Sequence, residues 1–124
     1  MALRKVIMSS CKKMDSKNIF IACSVMLQKA EWEKIKGENE WSFVGDSANF
    51  KIDLVQTNIE NYFPDETLYL ITDRHESKEI KKENAASEVQ SSLTNKDVTL
   101  SNREFKRFIV FSYIGVAKQG EYHS

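Results

Sequence analysis

The reading of the fold turns on Thr67-Leu68-Tyr69-Leu70-Ile71-Thr72. It is apolar, aromatic or β-branched throughout, with no alternation of polar residues. A strand of that composition is expected to be covered on both faces, which places it in the middle of a sheet. Downstream, residues 76–94 are highly charged, and Ile80, Val89 and Leu93 give them a thin apolar stripe at helical spacing. That pattern predicts a helix lying on one face of the sheet with most of its surface in water. Asp97-Val98-Thr99-Leu100 reads as a short strand. Ser101 or Asn102 then caps a last helix that begins near Arg103, holds Phe105, Phe108, Ile109, Phe111 and Ile114, and ends at Gly115 or Gly120. Two strands joined by a helix of this length are expected to run parallel through a right-handed crossover.

Working upstream, Pro64 ends an amphipathic helix over about Asp53 to Phe63, because the residue before a proline is pushed out of the α region. Its apolar face holds Leu54, Val55, Ile59, Tyr62 and Phe63. Trp41-Ser42-Phe43-Val44 reads as a strand, 45–49 as a turn, and Phe50-Lys51-Ile52 as the returning strand of a hairpin. A first long helix is expected over residues 15–36. Asp15 or Ser16 caps it, Ile19, Cys23, Met26, Leu27 and Ala30 form its stripe, and Gly37 ends it. A buried strand over residues 18–25 is the competing reading. The expected class is therefore α/β, with α+β as the alternative. It would be one domain over residues 1–124, with three to four strands and about four helices.

Composition narrows the function. The chain has 124 residues, 41% of them hydrophobic, which suits a single core. Its formal net charge is zero, without the basic excess usual in nucleic-acid binders. No apolar run approaches the ~20 residues of a membrane span, and Val6-Ile7-Met8 is too short for a signal-peptide core. These features predict a cytoplasmic protein that engages neither nucleic acid nor membrane. Cys11 and Cys23 do not make a disulfide framework, and two His with no Cys-x-x-Cys pair leave little for a metal.

The candidate chemical sites are few. Asp73, Arg74 and His75 follow the central strand. A parallel partner strand would bring Asn102 and Arg103 to the same edge, where ligands bind in open α/β sheets. These residues are the candidate ligand-binding or enzymatic site. The plainer reading makes them a polar strand end that caps the next element. Asp46, Asp53 and Glu60 are too scattered to share a metal ion, Asp53 and Glu60 lying two helical turns apart. Cys11 or Cys23 would need His75 or His123 as a base, and no nucleophile elbow or phosphate loop accompanies them. No recognisable active site results, and no cofactor or metal is expected.

Charge distribution is more informative. Residues 31–66 hold nine acids against three lysines, inside a neutral whole. The same stretch carries Trp32, Trp41, Phe43, Phe50, Tyr62 and Phe63. Exposed aromatics in an acidic field suit docking onto a basic protein face, so Glu31, Trp32, Glu38, Glu40, Trp41 and Asp46 are the candidate partner-binding residues. The plainer reading makes the aromatics core and the acids their solvated outside.

In its size, this aromatic-acidic segment, and the stretches Tyr69-Leu70-Ile71-Thr72-Asp73-Arg74 and Phe108-Ile109-Val110-Phe111-Ser112-Tyr113-Ile114-Gly115-Val116-Ala117, the chain resembles small bacterial immunity proteins of polymorphic-toxin or contact-dependent inhibition systems. The resemblance implies a non-catalytic protein whose partner is a cognate toxin, neutralised by steric and electrostatic blockade. The neutral net charge departs from the strongly acidic inhibitors of nucleases.

Overall fold

In the computed structural model, which describes residues 15–33, 42–45, 48–73, 76–93 and 96–122, the run Arg107-Phe108-Ile109-Val110-Phe111-Ser112 is a strand. Four consecutive aromatic and β-branched side chains favour the pleated surface. Burial on both faces removes the alternation that would have announced them. The chain reverses over residues 113–115, where Gly115 takes φ 109° and its N–H donates to the Ser112 carbonyl at 3.0 Å. Such left-handed backbone costs glycine little. The expected last helix is thus a hairpin, which changes the fold class.

The described residues form three α-helices and seven strands. In chain order they are α1 (Ser16–Leu27), β1 (Glu31–Trp32), β2 (Ser42–Phe43), α2 (Ile52–Tyr62), β3 (Thr67–Ile71), β4 (Lys78–Lys81), α3 (Ala85–Ser92), β5 (Val98–Ser101), β6 (Arg107–Ser112) and β7 (Val116–Glu121). All pairings are antiparallel, in the order β1-β7-β6-β5-β3-β4, and β2 shares the outer edge of β7 with β1. The expectation of an α/β domain with three to four strands and about four helices is therefore corrected: sheet dominates and the class is α+β.

Strong local signals persist in the fold. Asp15 caps α1, its Oδ1 accepting the Asn18 N–H at 2.8 Å. At the end of α2, Phe63 turns extended ahead of Pro64. β3 is flanked on both sides, by β5 and by the edge strand β4, and is buried at every position but its first; it lies one strand in from the edge and not in the middle of the sheet. Other expectations fail for identifiable reasons. The first helix stops at Leu27, because the chain pairs Glu31 and Trp32 with β7. No strand returns at 50–52; Phe50 is buried with its ring 6.1 Å from that of Phe111, and α2 starts at Ile52. Within 76–94 the first part is β4, an edge strand that pairs with β3 and keeps only Ile80 buried. Its lysines blunt the exposed edge. The expected parallel pair is antiparallel, because β4 reverses the chain after β3, and the connection through α3 then leads from β4 into β5 running the same way as β4 and so against β3.

Side chains alternate across the sheet. Leu68, Leu70, Leu100, Ile109 and Phe111 meet α2 and α3 on one face. Tyr69, Ile71 and Phe108 meet α1 on the other, joined by Phe105, whose ring stacks on Tyr69. No helix among the described residues is long and apolar enough to cross a membrane.

Candidate functional site

The two sets of residues expected to act together are separated by the fold. β3 pairs with β5 in the register Tyr69↔Ser101, so Asn102 follows the end of β5 nearest Thr67. Asp73 lies four residues beyond Tyr69, roughly 13 Å away along the strand. Asp73 closes the β3–β4 turn: Oδ1 accepts the Glu76 N–H at 2.9 Å, and Oδ2 accepts from Lys96 Nζ at 2.7 Å. That hydrogen bond, and then the charge of Asp73, raise the Lys96 ammonium above the usual lysine value. Asn102 is buried, and its Oδ1 accepts the N–H groups of Lys106 and Arg107 at 2.8 and 3.1 Å. It is a cap, as its residue type suggested, but of a loop entering a strand. Arg103 pairs with Glu79 at 3.4 Å. Arg74 and His75 lie outside the described residues.

Of the acidic-aromatic candidates, Glu31 and Trp32 are among the described residues. Glu31 and Trp32 are neighbours in a strand, so they point to opposite faces of the sheet. Trp32 is half-buried against the α1 side, with the Lys118 ammonium 4.2 Å from its ring centroid. Glu31 is exposed opposite Glu121. Glu38, Glu40, Trp41 and Asp46 lie outside the described residues, as do Cys11 and His123. Among the described residues no group of three or more His, Cys, Asp or Glu converges. Cys23 is buried and its thiol is pushed up to about 12 by that burial, so it is a core group and not a nucleophile.

The surface draws attention elsewhere. Seven large apolar side chains are exposed among the described residues, and five of them belong to one end of the sheet: Phe43, Ile52, Leu54, Tyr113 and Ile114. Ile114 is 69% exposed, Phe43 63% and Leu54 57%. The backbone gathers them. Phe43 pairs with Val116. The Val44 and Gly45 N–H groups donate to the Gly115 carbonyl at 2.9 and 3.0 Å, and Lys51 N–H donates to the Val44 carbonyl at 2.9 Å. The hairpin tip, the end of β2 and the start of α2 therefore meet.

Beside them a groove of about 310 Å³ runs between α2 and the β2–β7 edge. Val44, Val55, Ile109, Phe111 and Ala117 line it, Leu54 stands at its lip, and Asn58 and Gln119 supply polar groups. That mixture, mostly apolar with a few placed donors and acceptors, is usual in binding sites. A wider hollow of about 680 Å³ adjoins Asn102, Lys106, Arg107 and Glu121. Its arginine is already engaged: Arg107 Nε meets Glu121 at 3.0 Å, and Nη1 donates to the Tyr62 carbonyl at 2.6 Å.

Sequence reasoning had placed Leu54 and Ile114 on buried helix faces. Phe43 was among the aromatics of the acidic stretch, but nothing in the sequence joined it to residues 113 and 114. No family of known proteins, no curated protein and no solved structure matches this chain.

Proposed function

We propose that this chain is a non-catalytic protein-binding domain that docks its partner on the apolar end of the sheet. In the immunity reading, that partner is a cognate bacterial toxin blocked by the contact. The observation that carries the proposal is the gathering of five exposed large hydrophobic side chains at one end of the sheet, two of which, Phe43 and Leu54, border a groove. Contiguous exposed apolar surface on a small protein marks interaction sites, whereas single exposed leucines do not. Aromatic residues at the centre of such a patch are the usual energetic anchors.

Co-expression with the product of the neighbouring gene, followed by pull-down and affinity measurement, tests the reading. Phe43→Asp, Leu54→Asp and Ile114→Asp should each weaken binding. An anchor side chain contributes about 2 kcal/mol, so the central positions should lose roughly 30-fold in affinity. The variants should keep the folded far-ultraviolet spectrum, since all three side chains face solvent. Undiminished binding by the triple variant would sink this surface. Turnover of a substrate by the purified protein, abolished by Asp73→Ala, would replace the binding reading with an enzymatic one.

A further inference from the structure

Helix α1 is apolar on more sides than the sheet covers. From Ile19 to Leu27 its only hydroxyl, amide or charged side chain is Ser24, whose hydroxyl already donates to the Phe20 carbonyl at 2.8 Å. A helix apolar all round is expected to be buried all round. Here Ile19 and Cys23 are buried against the sheet, while Ile21 and Val25 stand 42% and 51% exposed. At about 100° per residue, the direction midway between Ile21 and Val25 is diametrically opposite Cys23. Asn18, Ile21, Val25 and Gln28 are all exposed and recur at three-, four- and three-residue steps, the a and d spacing of a helix–helix seam.

This seam is its own complement. When two copies meet antiparallel about a two-fold axis, Ile21 of each lies on Val25 of the other, and Asn18 of each lies beside Gln28 of the other. Apolar pairs fill the middle, and side-chain amides that can hydrogen-bond each other close both ends. The charges favour the same direction. Within residues 16–28 Lys17 alone is charged. Asp15 and Lys29 stand at opposite ends of α1 on one flank of the seam, and Lys17 is on the other flank. Antiparallel pairing brings Asp15 of each copy to Lys29 of the other and sets the two helix dipoles head to tail. A parallel pair would place like helix ends together. Asp15 uses one oxygen to accept the Asn18 N–H, and the Lys29 ammonium lies 5.9 Å from the Tyr122 ring centroid, at the limit of a cation–π contact.

We infer that α1 is a self-association surface whose occupant is α1 of a second copy, antiparallel across a two-fold axis. Such an interface is isologous and closes at two copies. A helix of 12 residues is about 18 Å long, and four seam residues a side bury well under the ~1,200 Å² of a standard stable interface. The pair is therefore weak, with a dissociation constant of roughly 100 µM to 1 mM. The seam lies on the sheet face opposite α2 and the groove, so pairing leaves the groove open and joins two of them in one particle.

Sedimentation velocity of the reduced protein, from about 10 µM to 2 mM, tests the pairing across the expected range. The mean mass should climb toward that of two chains and no further. Ile21→Glu, Val25→Glu should stay monomeric throughout with an unchanged far-ultraviolet spectrum. Asn18→Leu, Gln28→Leu should tighten pairing roughly tenfold or more, because each leucine counts twice in a two-fold pair. Lys29→Glu should weaken it severalfold at low salt and less at high salt. A monomer across the whole range, or a mass beyond two chains, would overturn the inference. So would a dimer that survives Ile21→Glu, Val25→Glu, or one abolished by the Phe43→Asp, Leu54→Asp, Ile114→Asp variant, which would place the contact at the docking end. Indifference to Lys29→Glu would overturn the antiparallel arrangement.

Discussion

Replacing Phe108 and Phe111, singly and together, reads out the architecture directly. Both side chains are fully buried, at 0% and 1% exposure. Truncation to alanine should therefore cost about 3–5 kcal/mol at each, from lost transfer energy and the cavity left behind. The informative quantity is their coupling. Three residues apart in a strand, the rings fall on opposite faces of the sheet. Phe108 packs in the cluster of Ile19, Cys23, Tyr69 and Phe105, and Phe111 in that of Phe50, Ile59, Leu70 and Leu100. Three residues apart in a helix, they would share one face and one set of neighbours. A chain of this size has roughly 6–19 kcal/mol of stability, which two alanines could exhaust. The cycle is therefore run with Phe108→Leu, Phe111→Leu and the pair, by urea unfolding followed through tryptophan fluorescence. The costs should add to within about 0.5 kcal/mol. A coupling well above 1 kcal/mol, or an alanine variant as stable as the parent, would refute the two-faced strand.

Two further outcomes follow from the core. Burial lifts the Cys23 thiol from an ordinary 9.0 to about 12, so the unfolded chain ionises first. The stabilising contribution is complete below about pH 9 and is lost as pH rises toward about 12. The fall is at most about 1.4 kcal/mol per pH unit. Urea titrations across this range should show a shallower alkaline loss for Cys23→Ala than for the parent, and equal slopes would contradict it. Asn102→Ala leaves the Lys106 and Arg107 N–H groups without their acceptor and should destabilise by about 1–3 kcal/mol; a change below 0.5 kcal/mol by thermal or urea unfolding would show that water replaces it.

The candidate site was only partly legible. Its residues are ordinary in sequence: Leu54 falls on the apolar stripe of an amphipathic helix, and Phe43 in a short aromatic strand. What exposes them is the end of the sheet. α2 crosses there with Leu54 at the lip, and the 113–115 turn carries Tyr113 and Ile114 past the last covered residue. The acid-aromatic density of residues 31–66 was visible, but the turning of Glu31 and Trp32 to opposite faces was not, because they part company only once they are in a strand. Gly120 shows the same dependence on context. Between two strand residues it looks like a helix terminator, yet a Cβ there would collide with the Glu31 carbonyl and the Trp32 backbone, so its lack of a side chain admits β1.

By itself, the sequence determined what neighbours along the chain can enforce: the Asp15 cap, the end of α2 before Pro64, the amphipathic α2, and β3 as a strand covered on both faces. Only the tertiary structure decided that Lys78–Lys81 is an edge strand, that Arg107–Glu121 is a hairpin and that β3 and β5 run antiparallel. A cap or a proline acts within one turn of backbone and leaves its mark in residue type. A strand buried on both faces has no period to read, and its direction is set by hydrogen bonds to segments tens of residues away. Those bonds also decide which end of the sheet each side chain reaches, and so which residues can share a site.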